Sequence, residues 1–539
     1  MGRAAVSLSP TIDEPFHLVR GLAYWQERDA RLSYNHPPLV NALTGIVAGP
    51  FGKDALASLP GWRLHDSSKT ATQFLKKDYP HARRLIVVGR FVNVALTALF
   101  LFYLFALVRR HRGDGVALVA LVLVASNPTV LAHGSLLTND LGATAFFVLL
   151  LGQSLRYLQH DGRLPALTAF LSLGLAAVAK YNLLPFVAIF PVVTFAVAYR
   201  GWGRFTNATR RLRLRKAAIE VAMAVGVAWL VVNSTYFFEH SVWTRNGLAS
   251  DPTLSGSHLV ERLERGKFGR IAGWVPFPLP ATYCAGLNTV GHHVEGGHLS
   301  WFMGTVREKG TPLYFPTLLI IKTPILYGVL LLVGGLIWWR QRRSLDPLLL
   351  TFGGAALFYL PFLLFAGVNI GVRHALPIVP CVAIAAGYGA VALWERLVSR
   401  GARVSLALVV MGALAIPALN FPDYLGYFNL LVGRQRGHAI SIVGEDWGQN
   451  TIDLARDWQG KSSVLYYDPY PMGGMDELLL SGVSAKRLDC KAEPEPPGFV
   501  AVHAADWLRQ PKCYPWRTRA RLVRTYQEHI LLFELQAPR

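Results

Sequence analysis

The sequence predicts an all-α polytopic membrane bundle of about ten spans, with a small C-terminal α/β domain outside the membrane. Three observations predict it: too few charged residues for a soluble chain, apolar stretches long enough to cross a bilayer, and basic residues confined to alternate connections. Of 539 residues, 16% are charged and 52% hydrophobic; soluble domains carry roughly 25% charged residues. A net charge of +21 would also suit a nucleic-acid binder. Here the Lys and Arg residues cluster in short loops between apolar runs and no nucleic-acid motif accompanies them, so nucleic acid is not an expected partner.

Stretches able to cross ~30 Å of hydrocarbon lie near residues 85–108, 116–133, 141–157, 166–179, 183–199, 217–237, 313–339, 346–368, 374–396 and 404–420. Alternate connections carry Arg109, Arg110 and Arg112, then Arg156 and Arg163, Arg200 to Lys216, Arg340 to Arg343, and Arg396 to Arg403. The positive-inside rule places them in the cytoplasm. The chain therefore divides into a first external loop at 1–84, transmembrane helices at 85–237, an external loop at 238–312, transmembrane helices at 313–420, and an external domain at 421–539. Residues 1–10 are neither a signal peptide nor a span, although the segment 1–84 must be carried across, so a missing first span is expected.

Asp13 at a capping position and Pro15 in the first turn predict a helix from Pro15 to Glu27. A break follows at Tyr34 to Pro38. The loop 238–312, rich in Gly, Pro, His and Trp, is too long for a passive connector and is expected to act as a lid. From Ser463 onward the apolar runs SVLYY, GFVAV and HILLFEL alternate with helical stretches near 475–481 and 504–509, the pattern of a small α/β domain. The spacing of Cys490 and Cys513 permits a disulfide in an oxidising compartment; two unpaired thiols are the other reading.

The sharpest external cluster is Asp13, Glu14, Pro15, Phe16 and His17, followed by Tyr34, Asn35, His36, Pro37 and Pro38. Local sequence leaves two readings open, a helix cap and a catalytic carboxylate. Arg90, Asp140, Lys180, Lys322 and Arg373 interrupt or edge apolar runs. An ionised group near a membrane-helix centre costs about 2.5–3.5 kcal/mol, so each is expected to have a partner or a function. A structural ion pair, such as Asp140 with Lys180, is the alternative. Arg83 and Arg84 lie at headgroup level, where phosphate binding and snorkelling compete. His292, His293, Glu295 and His298 have zinc-ligand composition without the HExxH spacing.

Several segments in order carry a resemblance: DEPFHLVRGLAYW (13–25), NHPPL (35–39), HGSLLTND (133–140), AKYNLLP (179–185), GHLSWFMGTVREKGTPLYFPTLLIIKTP (297–324), NIGVRHALPIVP (369–380), and YFNLLVG followed by EDWGQ (445–449). The chain resembles bacterial polyprenyl-phosphate-dependent glycosyltransferases of the multispanning fold C class, similar to protein O-mannosyltransferases and lipid A aminoarabinose transferases. That resemblance implies sugar transfer from a polyprenyl-phosphate carrier to an acceptor hydroxyl of a protein, lipid or glycan, on the periplasmic face of a bacterial inner membrane. It puts Asp13 in the role of catalytic base, with Glu14 beside it. Arg90, Lys180, Lys322 and Arg373 are then expected to hold the carrier phosphate. His36, His293, His298, Asp140, Asp446 and Trp447 are expected to meet sugar or acceptor.

Where the family pattern has Ser-Asn-x before Asp-Trp-Gly-Gln, this chain has Ile442, Val443, Gly444 and Glu445. No cofactor is expected, a divalent ion at the histidine-rich segment being the alternative. A transporter or flippase of a lipid-linked substrate is the other functional reading; transporters commonly show repeated halves, which this sequence lacks.

Overall fold

Each of the ten expected apolar stretches falls on helix in the computed structural model, which describes residues 1–33, 35–52, 56–239, 279–341, 346–468, 470, 472–495 and 498–536. Among the described residues, seven helices are long and apolar enough to span a membrane, or eight if a bent pair is one span. Two features account for the difference from ten. The first two expected spans run together in one 48-residue element, Tyr79–Ser126, and Arg163–Ala179 is apolar but only 17 residues long.

The long element turns at Gly113, whose φ of 77° a side chain would resist. The turn after the next helix, Pro128–Ser135, is tied to the first half of this element, where Asn93 Nδ2 donates to the carbonyls of Leu136 and Thr138 at 2.6 and 2.8 Å. The bent pair, Tyr314–Lys322 and Ile325–Gln341, turns by 103° at Thr323 and Pro324. Proline has no N–H and disfavours helix in the residue before it, so carbonyls are freed at this break. Asn429 takes them up. Its side-chain nitrogen donates to Ile320 and Thr323, and its backbone N–H to Ile321.

The N-terminal segment packs as helices Glu14–Gln26, Leu39–Ala48 and Ser67–Lys77 over a core of Leu18, Val19, Leu22, Trp62, Phe74 and Leu75. The expected helix thus forms and starts one residue early.

A hairpin, β1 (Ser300–Phe302) and β2 (Thr305–Arg307), lies within the segment 238–312; residues 240–278 of the expected lid fall outside the described residues. The C-terminal domain is a five-stranded mixed sheet of β3 (Leu465–Tyr467), β4 (Ala485–Arg487), β5 (Gly498–His503), β6 (Ala520–Tyr526) and β7 (Ile530–Leu535). The strand order is β4-β3-β5-β7-β6, with β3 parallel to β4 and β5, and β7 antiparallel to β5 and β6. Helices Gly474–Leu480 and Ala504–Arg509 flank it, and a Cys490–Cys513 disulfide closes its edge, settling the cysteine alternatives.

Glu477 in the first of those helices accepts from Tyr79 Oη at 2.7 Å and Arg83 Nε at 3.1 Å. Arg83 therefore pins the domain to the first membrane helix.

Candidate active site

Asp13 stands at the N-cap position of the helix Glu14–Gln26, yet its side chain makes no capping hydrogen bond. Its Oδ2 accepts from Arg373 Nη1 at 2.6 Å. The cap reading therefore fails, because the carboxylate is turned away from its own helix toward a residue 360 positions later. The pair is open on one side: the Asp13 side chain is 30% exposed and that of Arg373 16%.

Arg373 sits in the single turn Val372–Ala375, which follows Gly371. Gly371 has φ 108° and lies against Gly444, where a Cβ would come within 2.2 Å of the Gly371 Cα. Two glycines thus bring the Arg373 turn onto the loop that carries Trp447. The Arg373 guanidinium lies 4.5 Å from the centre of the Trp447 ring, a cation–π contact. Trp447 and Gln449 also hold the strand leading to Asp13: the N–H of Ile12 donates to the Trp447 carbonyl, and that of Ser9 to the Gln449 carbonyl, both at 3.0 Å.

From Arg373 the charges continue inward. Its Nη1 is 3.9 Å from Asp140 Oδ2, Lys180 Nζ donates to Asp140 Oδ1 at 2.5 Å, and His133 Nδ1 lies 3.7 Å from Asp140 Oδ2. Asp140 begins a helix and Lys180 ends one, which is how two membrane segments present both charges at the same level. Two carboxylates and two cations thus alternate as Asp13, Arg373, Asp140 and Lys180. The Asp140–Lys180 ion pair exists as the alternative reading had it, and it is continuous with Asp13.

His17 Nδ1–H donates to Asn41 Oδ1 at 3.0 Å, and its ring stacks on His36 at 5.9 Å. Burial alone would raise the Asp13 pKa, but the Arg373 charge and its hydrogen bond hold it below the usual carboxylate range. Burial and Arg20 push His17 down to about 4, so it is neutral near pH 7. Burial followed by Lys180 likewise holds His36 well below its ordinary value. Several buried polar atoms here have no hydrogen-bond partner among the described residues: Arg373 Nε, His374 Nε2, and both amide atoms of Asn139. Such groups each cost about 1–3 kcal/mol when left unpaired, so the site suits a polar ligand.

Other expected site residues fall elsewhere. Arg90 is fully buried and all five of its N–H donors are used, by both Glu14 oxygens and the carbonyls of Ala5, Leu8 and Ser9. Glu14 also accepts from the N–H groups of Thr11 and Leu137. Neither has capacity left for a phosphate or an acceptor hydroxyl, so they correct the expectation: they brace the Asp13 loop. Lys322 Nζ donates to the Leu425 carbonyl at 2.6 Å, lies 3.4 Å from Glu445 and sits over the Phe428 ring. It supports the broken helix, apart from the Asp13 chain.

Asp446 is wholly buried and binds His503 and the N–H of Ala505, so it cannot reach a sugar. Trp447, 2% exposed, supports Arg373 and offers no open face for stacking. His298 stacks on His293 at 5.6 Å. Burial first, then its hydrogen bond to the Leu299 carbonyl and the neighbouring cations including Arg373, set its pKa, which ends below the ordinary value. Tyr34 and the His292 side chain fall outside the described residues. His133 and His374 received no role from the sequence; they stand inside quoted motifs, and only the fold reveals that both face Asp140.

Fold and site together describe a polytopic membrane protein with an alternating carboxylate–cation chain and a C-terminal α/β domain. No protein-family model matches the chain, and no curated protein matches it. Among solved structures, ArnT from Cupriavidus metallidurans bound to undecaprenyl phosphate matches with 12% identity and a TM-score of 0.44, over 98% of this chain and 95% of that one. The apo form of the same protein matches with 13% identity and a TM-score of 0.45, over 98% and 94%. The Archaeoglobus fulgidus oligosaccharyltransferase in complex with zinc and sulfate matches with 12% identity and a TM-score of 0.42, over 92% of this chain and 64% of that one.

Proposed function

We propose that the chain is a membrane glycosyltransferase that moves a sugar from a polyprenyl-phosphate carrier to an acceptor hydroxyl on the periplasmic face of a bacterial inner membrane. The observation that carries this reading is the Asp13–Arg373 pair. A partly exposed carboxylate, released from capping its helix, shares a guanidinium whose Nε has no partner among the described residues. The Asp13 carboxylate takes the proton of the acceptor hydroxyl as that oxygen attacks the anomeric carbon. The bond from that carbon to the phosphate oxygen breaks, and the carrier phosphate leaves with the electron pair and one more negative charge. Arg373, backed by Lys180, meets that charge; a guanidinium suits phosphate oxygens geometrically. His36 and Asp140 line the same chain and are assigned to the sugar, while His298 and His293 are assigned to the acceptor side.

Sidedness supports the reading. Disulfides persist in oxidising compartments, the Cys490–Cys513 bond is in the C-terminal domain, and the backbone before Asp13 is bonded to the loop leading into that domain. The reaction is taken to need no bound metal, the phosphate being met by side-chain cations.

The test is the purified protein in liposomes with a panel of polyprenyl-phosphate sugars and membrane-extract acceptors, read by mass spectrometry. A glycosidic product that survives EDTA is expected. Lipid movement across the vesicle with no product from any donor would favour a flippase and overturn the proposal, and EDTA loss restored by a divalent ion would overturn its metal-free part. Gly444→Ala should also matter. Its methyl group would part the Arg373 turn from the Trp447 loop, and displacements near 1 Å cost on the order of 10²-fold in rate. Transfer by this variant should fall by that order with the protein still inserted; an unchanged rate would show that the contact does not set Arg373.

A further inference from the structure

We infer that His503, in the external domain, is a positioning residue for the transfer site: as an imidazolium it closes a buried ring of hydrogen bonds that fixes Trp447 beneath Arg373. This rests on the proposed transfer reading for its kinetic consequence only.

The ring is Asp446, His503, Tyr467, Thr451 and Gly448. His503 Nδ1 lies 3.0 Å from Asp446 Oδ1, His503 Nε2 lies 2.8 Å from Tyr467 Oη, Tyr467 Oη lies 3.1 Å from Thr451 Oγ1, and Thr451 Oγ1 donates to the Gly448 carbonyl at 2.9 Å. The four side chains are buried. Trp447 is the one residue between the two backbone ends of this ring.

Counting protons fixes the charge. The single hydroxyl proton of Thr451 goes to the Gly448 carbonyl, so the proton between Thr451 and Tyr467 must come from Tyr467. The proton between Tyr467 and His503 must then come from His503 Nε2. Asp446 is a carboxylate and accepts from Nδ1. Both ring nitrogens therefore carry protons, and His503 is charged. The groups facing it agree: Asp446 from the loop, Asp468 after β3, Asp506 from the helix Ala504–Arg509, and the neutral phenols of Tyr467 and Tyr470. Burial lowers the imidazole pKa, but these carboxylates and the Asp446 hydrogen bond raise it above the usual value on balance.

The remaining Asp446 contacts lock the same loop to the domain. Its Oδ2 accepts from the Ala505 N–H, and its carbonyl accepts from Tyr470 Oη. On the other side, Trp447 carries the Arg373 guanidinium and accepts from the N–H of Ile12, next to Asp13. A charge in the external domain thereby sets both members of the Asp13–Arg373 pair. Since the folded pKa is raised, this contribution is present at low pH and is lost as pH rises through that folded value.

The test uses His503→Ala and Tyr467→Phe in the full-length protein, each examined by cryo-electron microscopy and by donor kinetics across pH. Tyr467→Phe removes one hydroxyl and keeps the Asp446–His503 contact, so it remains informative if His503→Ala does not fold. In His503→Ala the Trp447 ring is expected to leave Arg373. In Tyr467→Phe the alkaline limb of the rate profile should move down by about one pH unit, because the imidazolium loses an acceptor. The KM for the donor should rise several-fold with kcat nearly kept at low pH, a split that mere loss of folded protein does not produce. Trp447 in place in every variant that folds, with the alkaline limb and donor KM of Tyr467→Phe unmoved, would overturn the inference. A wild-type protein that transfers no sugar would sink the reaction reading alone, and the position of Trp447 in the two variants would then decide this one.

Discussion

Asp13→Asn is expected to cut sugar transfer by roughly 10²- to 10⁴-fold, the usual worth of a positioned general base. The same substitution should leave affinity for undecaprenyl phosphate intact or improve it. The reason is electrostatic: Arg373 spends one N–H on Asp13 at 2.6 Å, and an amide in that place no longer competes with phosphate for the guanidinium. Loss of rate with retained carrier binding separates a base from a phosphate ligand. A variant that transfers sugar at the wild-type rate would remove Asp13 from the reaction. Protonation should mimic the mutation. Because the folded pKa lies below the ordinary ~3.9, the carboxylate form persists across neutral pH, and its contribution disappears only as pH falls through that lowered value.

Glu14→Ala should have the largest effect on stability. Arg90 is 0% exposed and places three of its five donors on backbone carbonyls and two on Glu14. Removing the carboxylate leaves a buried guanidinium without a counter-charge, and breaking such a pair costs about 3–5 kcal/mol. A steep loss of thermal stability in detergent is expected, together with exposure of residues 1–13 to protease. Arg90→Lys should not substitute, since an ammonium cannot reproduce the fork that reaches Glu14 and three carbonyls together. A Glu14→Ala protein as stable as wild type would show that the pair is not the brace described above.

Much of this architecture is legible in the chain, for identifiable reasons. The spans show themselves because hydrocarbon demands continuous apolar length, and SVLYY, GFVAV and HILLFEL announce β3, β5 and β7 because central strands are buried on both faces. The strands at the two sheet edges, β4 and β6, are largely exposed and carry Lys and Arg, so hydropathy passes over them. Asp140, Lys180 and Arg373 stand out because charge is costly beside apolar runs, and Asp13 stands out only through the ordered motifs that carry the resemblance.

The same logic flags Arg90 and Lys322 without revealing their partners. Sequence shows that a buried cation needs a carboxylate, but only the fold decides that Glu14 takes Arg90 and Glu445 faces Lys322. Asp446 escapes sequence reasoning for a related reason: its partner, His503, is one histidine at the end of a strand, 57 residues away, and no local pattern links them.

The central claim is that Asp13 and the Arg373–Lys180 cations act on one carrier phosphate. It is tested most directly by the structure of the full-length protein with undecaprenyl phosphate bound. The phosphate is predicted to lie within hydrogen-bond distance of Arg373, on the Lys180 side, with the Asp13 carboxylate facing the same opening. A phosphate held elsewhere, for example at Lys322 or at the cytoplasmic arginines, with Arg373 still paired only to Asp13, would contradict the account.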